Sequence, residues 1–319
     1  MLGYVCKYTP MELFTAMDTD IKRLEPSVTD FNHADTLMHA NICSYTKAVL
    51  EDVMENDYEG VILTTCCDSI RRLYDTLKSQ FPDKFFFLLD IPRKINDFAV
   101  TLYERQLREM ISSYEAFSGK TFDEARFVSM MQNNAALEKA KKAKENANAK
   151  ASALNIGIMG ARCNNEIRQL LTDHGVNVLF DLTCTGLGRN FSVSKEAPLT
   201  SYAAALLNQI PCMRMLKAAS RQNLVDGFTD RLDGILYHTV KFCDSYSYEY
   251  ADFKEHLKVP ILLIETDSTK QCAGQVRTRV EAFIEELQVK KGLSLTGKKI
   301  ISKRKGDTLY TLGIDSGST

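Results

Sequence analysis

Cysteine is the residue type in this sequence best suited to chemistry. The 319-residue chain holds nine: Cys6, Cys43, Cys66, Cys67, Cys163, Cys184, Cys212, Cys243 and Cys272. Its start, Met1-Leu-Gly-Tyr-Val-Cys-Lys, has no basic stretch followed by an apolar core. No secretory leader is expected, and the cytoplasm is the expected location. In a reducing compartment the thiols are buried apolar side chains, metal ligands or catalytic thiolates rather than structural disulfides. An isolated cysteine is most often a small core residue, but recurrence argues against that here.

The two halves of the chain resemble each other. Asp57-Tyr-Glu-Gly-Val-Ile-Leu leads to Cys67-Asp-Ser and then to Phe86-Phe-Leu-Leu-Asp90. Arg231-Leu-Asp-Gly-Ile-Leu leads to Cys243-Asp-Ser and then to Ile261-Leu-Leu-Ile-Glu265, at the same interval to within one residue. Cys43 precedes Gly60 much as Cys212 precedes Gly234. Cys6 follows the first strand of its half and Cys184 the second strand of its own, the loosest of the three pairings. Thr65, Asp68, Ser69, Thr185, Gly186, Pro211, Asp244 and Ser245 lie beside these cysteines, residues of strand ends and helix starts. That edge is where open parallel sheets bind ligands, and a thiolate at a helix N-terminus is favoured by the dipole and free amides.

Structural zinc sites announce themselves as closely spaced Cys-x-x-Cys pairs, and none occurs here. Widely spread cysteines gathered at strand ends suit an iron–sulfur cluster held by the fold. Three thiolates per cubane would leave one iron open, and two sets of three would suit two linked cubanes. The metal-ligand candidates are Cys6, Cys43, Cys67, Cys184, Cys212 and Cys243, with Cys66 in reserve. Cys163 and Cys272 have no repeat partner and read as structural. Arg189 could balance cluster charge, hold a substrate anion or form a surface ion pair. His238, on an apolar strand, is either a core residue or a proton donor. Tyr8, Tyr45 and Ser69 could donate hydrogen bonds to cluster sulfurs.

Those cysteines need a scaffold of alternating strands and helices. Leu2–Val5, Gly60–Thr65 and Phe85–Leu89 read as strands, and Asp35–Asn56 and Ile70–Gln80 as helices. Residues 101–153 read as a helical connector; the run Lys139-Ala-Lys-Lys-Ala-Lys is a solvated face rather than an interaction patch. The alternation then restarts with strands at Leu154–Gly160, Val176–Asp181, Gly234–Val240 and Pro260–Glu265, and helices at Ile167–His174 and Gln275–Gln288. Apolar strands separated by helices predict parallel sheets covered on both faces. The fold class expected is α/β, two Rossmann-like domains (1–100 and 154–288) related by an internal repeat. Gly157-x-x-Gly160 lacks the full dinucleotide fingerprint and reads as a tight turn. Net charge is −1, and no apolar run is long enough to span a bilayer. Neither nucleic acid nor a membrane is an expected partner.

Several motifs carry a family resemblance. Gly3-Tyr-Val-Cys-Lys-Tyr-Thr-Pro, Thr64-Thr-Cys-Cys-Asp-Ser, Leu89-Asp-Ile-Pro, Asp181-Leu-Thr-Cys-Thr-Gly, Val240-Lys-Phe-Cys-Asp and Gln275-Val-Arg-Thr-Arg-Val-Glu follow in order. Across residues 1–288 the chain resembles subunits of the 2-hydroxyacyl-CoA dehydratase family. The resemblance implies a cluster between Rossmann-like domains, with Cys43, one of Cys66 or Cys67, and Cys243 as ligands. It also implies one-electron charging by an ATP-hydrolysing activator, fed by a ferredoxin or flavodoxin, and a homodimer working anaerobically. The repeated cysteines and the direct start at the opening motif are more similar to the double-cubane cluster protein branch, which reduces small molecules with six cysteines of one chain.

After the basic stretch 289–307, Thr308-Leu-Tyr-Thr-Leu-Gly-Ile-Asp-Ser-Gly-Ser-Thr319 resembles the first phosphate loop of the actin and sugar-kinase superfamily and the start of dehydratase activators. The expected protein is a cluster reductase fused to its activator, the activator alone binding ATP and magnesium. A 4Fe–4S dehydratase component that eliminates water from an acyl-CoA, and a non-catalytic electron carrier, are the alternatives.

Overall fold

The computed structural model describes residues 1–134, 154–163, 165–186, 191–270 and 273–293. The expected connector beyond residue 134, Arg189, Cys272, and the linker and phosphate-loop stretch from residue 294 lie outside the described residues.

In the first half the strands are β1 (Leu2–Tyr4), β2 (Ile21–Arg23), β3 (Gly60–Thr64) and β4 (Phe85–Leu89). They form one parallel sheet in the order β2-β1-β3-β4. Parallel neighbours need crossovers. Here these are α1 (Met11–Ala16), the pair α2 (Asn32–Leu37) and α3 (Ser44–Glu55), and α4 (Asp68–Gln80). Next come α5 (Asp97–Ser118) and a helical stretch over 124–134 (α6). The Asn96 side chain caps α5 by accepting the Ala99 N–H at 2.9 Å, and Gly119 ends it in the left-handed region at φ 72°.

The second half repeats the plan. Strands β5 (Leu154–Gly160), β6 (Val176–Asp181), β7 (Gly234–Val240) and β8 (Ile261–Thr266) are parallel in the order β6-β5-β7-β8. They are linked by α7 (Asn165–Asp173), by α8 (Pro198–Asn208) with α9 (Ser220–Asp226), and by α10 (Asp244–His256). The helix α11 (Ala273–Lys290) follows. Even the register repeats: Leu2 lies opposite Gly60 and Ile156 opposite Gly234. The α/β expectation of two parallel sheets is therefore met. No described helix is long and apolar enough to cross a membrane.

β3 and β7 are buried along their whole length, as strands covered on both faces must be. One large core runs from the first sheet to the inner face of the second, joining Val61 and Leu63 to Tyr202, Tyr237 and Tyr246. A smaller core packs α7 and α11 on the outer face of the second sheet. The halves therefore share a core.

One expected helix is interrupted. The 35–56 pattern breaks into α2 and α3, because the backbone turns extended at Met38 and Cys43 becomes the N-cap of α3. The Ser44 N–H that follows donates to the Lys241 carbonyl of the other half at 3.2 Å. A continuous helix could not make that bond. The Gly157 and Gly160 pair permits close approach. Gly160 sits at φ 105°, and a β-carbon there would fall 1.9 Å from the His238 carbonyl oxygen.

Candidate functional site

Cys6, Cys43, Cys66, Cys67, Cys184, Cys212 and Cys243 all line one cavity of roughly 840 Å³, counting the part that opens to solvent. Topology explains the convergence. Cys6 follows β1, Cys66 and Cys67 follow β3, Cys184 follows β6 and Cys243 follows β7. The carboxyl edges of both sheets therefore face the same space, where open α/β sheets place their ligands. Cys43, Cys67 and Cys243 are the N-cap residues of α3, α4 and α10, so their sulfurs face both the first-turn N–H groups and the cavity. Phe242, just before Cys243, is held in the left-handed region at φ 64°. That conformation is costly for an aromatic residue. It is maintained from both sides, by Lys241 N–H donating to Thr266 O at 2.9 Å and Cys243 N–H to Val240 O at 2.9 Å.

The thiols form two groups. Cys43 lies close enough to Cys243 and Cys67 for their charges to oppose its ionisation, and Cys243 also meets Cys67. Cys212 stands in the same relation to Cys6, and is hydrogen-bonded with Cys184. The triads are therefore Cys43/Cys67/Cys243 and Cys6/Cys184/Cys212, each drawing on both halves. The first triad is the ligand set that the family resemblance implies. In sheet order β1 corresponds to β5 and β2 to β6. Cys6 and Cys184 thus follow non-equivalent strands, which is why their pairing in the repeat is the loosest.

Cys66 sits between the triads, hydrogen-bonded to Cys6 and Cys67. Those bonds and burial push it well above the usual thiol range, so it is the donor. The Cys66 bond brings Cys6 down to about 7 against the upward push of burial, helped by the Tyr8 backbone N–H. It likewise brings Cys67 down to about 6, also against burial, with the Arg214 charge and the Ile70 and Ser69 N–H groups adding to it. Burial and the neighbouring Cys243 raise Cys43 to about 11. The bond with Cys184 holds Cys212 well below the ordinary range, against burial, and the charges of Arg214 and Lys7 reinforce it.

A polar framework fixes these loops. Arg221 is fully buried and pairs with Glu249, Nη2 lying 3.2 Å from Oε2. Its Nη1 donates to the carbonyls of Leu182 at 2.9 Å and Pro211 at 3.1 Å. One guanidinium therefore ties down the segments carrying Cys184 and Cys212. The Tyr246 hydroxyl lies 3.1 Å from Cys184 Sγ and 3.4 Å from Cys212 Sγ. Arg162 donates to Val5 O at 3.3 Å and Leu24 O at 3.0 Å, holding the Cys6 segment. Sequence reasoning missed Arg214, Arg221, Tyr246 and Lys7. Lys7 lies inside the opening motif, Tyr246 just after the Cys243 motif and Arg214 two residues beyond Cys212, while Arg221 stood near none.

The expected hydrogen-bond donors take other roles. The Tyr8 hydroxyl accepts the Cys212 N–H at 3.1 Å. Tyr45 donates to Leu24 O at 2.8 Å while its ring stacks on Arg162. Ser69 reaches Cys67 through its backbone N–H. Cys163 is buried, raised to about 12 chiefly by that burial, and packs in the outer core as a structural thiol.

His238 lines a second, more polar cavity of roughly 1060 Å³, which shares only Tyr45, Arg162 and Val240 with the first. Its Nε2 lies 3.1 Å from the Thr266 hydroxyl, and burial lowers its pKa from 6.5 to about 4. The imidazole is therefore neutral in the fold. As pH falls below 6.5 the unfolded chain takes up a proton that the folded chain refuses, so stability is lost toward pH 4. The total is about 3 kcal/mol. Urea midpoints at pH 7 and pH 5 should show this slope in the wild type and a shallower one in His238→Gln; equal slopes would refute the assignment.

Among the described residues no three Cys, His, Asp or Glu side chains converge as one bare metal ion would require. The donor set is instead a wall of soft thiols around a space much larger than a single ion, with the cationic Arg214 and Lys7 beside it. Soft thiols beside fixed cations are the donor chemistry of an iron–sulfur cluster.

The family model for the 2-hydroxyglutaryl-CoA dehydratase D-component matches residues 6–142 and 127–287. The chain is also 23% identical over 345 aligned residues to the (R)-phenyllactyl-CoA dehydratase beta subunit of Clostridium sporogenes, covering 90% of this chain and 91% of that subunit. With residues 6–287 covered by the family model, this chain belongs to the 2-hydroxyglutaryl-CoA dehydratase D-component family.

Proposed function

We propose that this chain is an iron–sulfur reductase of the double-cubane type, holding one cubane on Cys43, Cys67 and Cys243 and the other on Cys6, Cys184 and Cys212. The observation that supports it is the pair of thiol triads in one cavity. A single cubane needs only one. On this reading Cys66 is a hydrogen-bonding thiol between the triads rather than a ligand.

The bound cluster would supply single electrons at low potential. The chain's own residues do the rest. Arg214 and Lys7 offset thiolate charge, and the Tyr246 hydroxyl donates to sulfur. Ile70, Ile91, Met215 and Val240 form apolar wall that excludes water. Arg221 and Arg162 keep three of the ligand loops in place. The recharging partner in this proposal is an ATP-hydrolysing activator, whose first phosphate loop residues 308–319 resemble. A ferredoxin or flavodoxin donor and a homodimer complete it.

A second reading is a dehydratase component with one cubane on Cys43, Cys67 and Cys243, favoured by the name of the clostridial relative. An anaerobic count of iron and acid-labile sulfide separates the two. About eight irons per chain is the expected result, about four would move the protein to the dehydratase reading and acyl-CoA substrates, and none would sink both.

A further inference from the structure

Arg214 is a half-buried cation whose side-chain partners are sulfurs. Its Nη1 lies 3.9 Å from Cys212 Sγ and its Nη2 3.8 Å from Cys243 Sγ. Those two cysteines belong to different triads, so one guanidinium spans both. Cys66 and Cys67 also lie within its electrostatic reach. Its plane is 5.8 Å from the ring centroid of Tyr246, the residue that contacts Cys184 and Cys212.

The neighbouring cations are placed differently. Arg221 pairs with Glu249, and Arg162 holds two backbone carbonyls and stacks on Tyr45. Lys7 donates its Nζ to Ile210 O while its charge reaches Cys212, and Arg93 lines the wall, but only Arg214 lies within hydrogen-bond reach of sulfurs of both triads among the described residues. No carboxylate pairs with Arg214 among the described residues. A guanidinium stays protonated at any working pH. Withdrawing it from water even in part costs energy unless a counter-charge faces it. The charges that face it are those of Cys212, Cys67, Cys66 and Cys243 and of whatever they hold.

We infer that Arg214 is the internal counter-ion bridging the two triads, and that it sets how readily the cluster they hold accepts an electron. This inference rests on the cluster reading above. Arg214 acts through the sulfurs and is a positioning residue, not a ligand. A fixed positive charge stabilises the more negative, reduced state, so removing it lowers the midpoint potential.

The test is an anaerobic redox titration of the reconstituted full chain, monitored by electron paramagnetic resonance, alongside its iron content. Arg214→Gln should keep its iron yet lower the one-electron reduction equilibrium by at least about tenfold, a shift of about 59 mV. Arg214→Lys, which keeps the charge, should stay nearer the wild type. Unchanged midpoint in an iron-loaded Arg214→Gln protein overturns the inference. Should the Gln variant take up no iron, the Lys variant is diagnostic. Full iron and a near-native midpoint are expected, while loss of iron there too would assign Arg214 a purely steric role and overturn the counter-ion. A wild type without iron would instead sink the cluster reading itself, so the two failures are distinguishable.

Discussion

Arg221→Met is expected to destabilise the fold by about 3–5 kcal/mol, the usual consequence of leaving one partner of a buried ion pair alone. Glu249 is 4% exposed and would lose its only cation, keeping just the Tyr237 hydroxyl at 2.7 Å. The Leu182 and Pro211 carbonyls would also lose their donor. The loss is read as a drop in urea midpoint of the purified chain relative to the wild type. Arg221→Met combined with Glu249→Leu should recover most of it, because two apolar side chains of similar volume carry no stranded charge. The double variant should nonetheless hold iron poorly, since the Cys184 and Cys212 loops are still untied. A single variant as stable as the wild type would show that the network does not brace the site.

Alanine at any of Cys43, Cys67 or Cys243 is expected to remove about half the iron, about four atoms per chain, and to give one shared spectral phenotype. Alanine at Cys6, Cys184 or Cys212 should define a second phenotype, and Cys66→Ala should keep nearly full iron. This follows from the spatial triads, in which Cys43 and Cys67 meet Cys243, while Cys6 meets Cys212 and Cys184. The family resemblance implies the first set, Cys43 with Cys66 or Cys67 and Cys243. Iron analysis and electron paramagnetic resonance of the seven single variants test the grouping. Different behaviour of Cys43→Ala and Cys243→Ala would break the spatial grouping.

Much of the architecture was legible because its signals are local. Buried strands such as Gly60–Thr64 and Gly234–Val240 are near-continuous apolar runs, and each leads into a Cys-Asp-Ser helix start. β2, α1, α8 and α9 were missed. β2 is only three residues long, Ile21–Arg23, too short for any period to show. α8 is dominated by Ala and Leu and carries no cap signal from its N-cap residue Ala197. The break between α2 and α3 was invisible because Leu37, Ile42 and Val49 keep a helical spacing across it. Tertiary hydrogen bonding at Ser44 overrode that pattern.

The sequence by itself determined the parallel α/β class, the internal repeat, the family, and all seven cysteines that line the cavity. Each depends on residue type and spacing along the chain. Only the tertiary structure could set Cys66 between Cys6 and Cys67, place His238 in a separate cavity and bring Arg214 between Cys212 and Cys243. The reason is physical. Distances across the interface are set by how two sheets share one core, and that docking leaves no periodic trace in either half. Arginines such as Arg214 and Arg221 take their meaning from partners such as Cys243 and Glu249, 29 and 28 residues away, so a lone arginine in a string of residues says nothing of the group it faces.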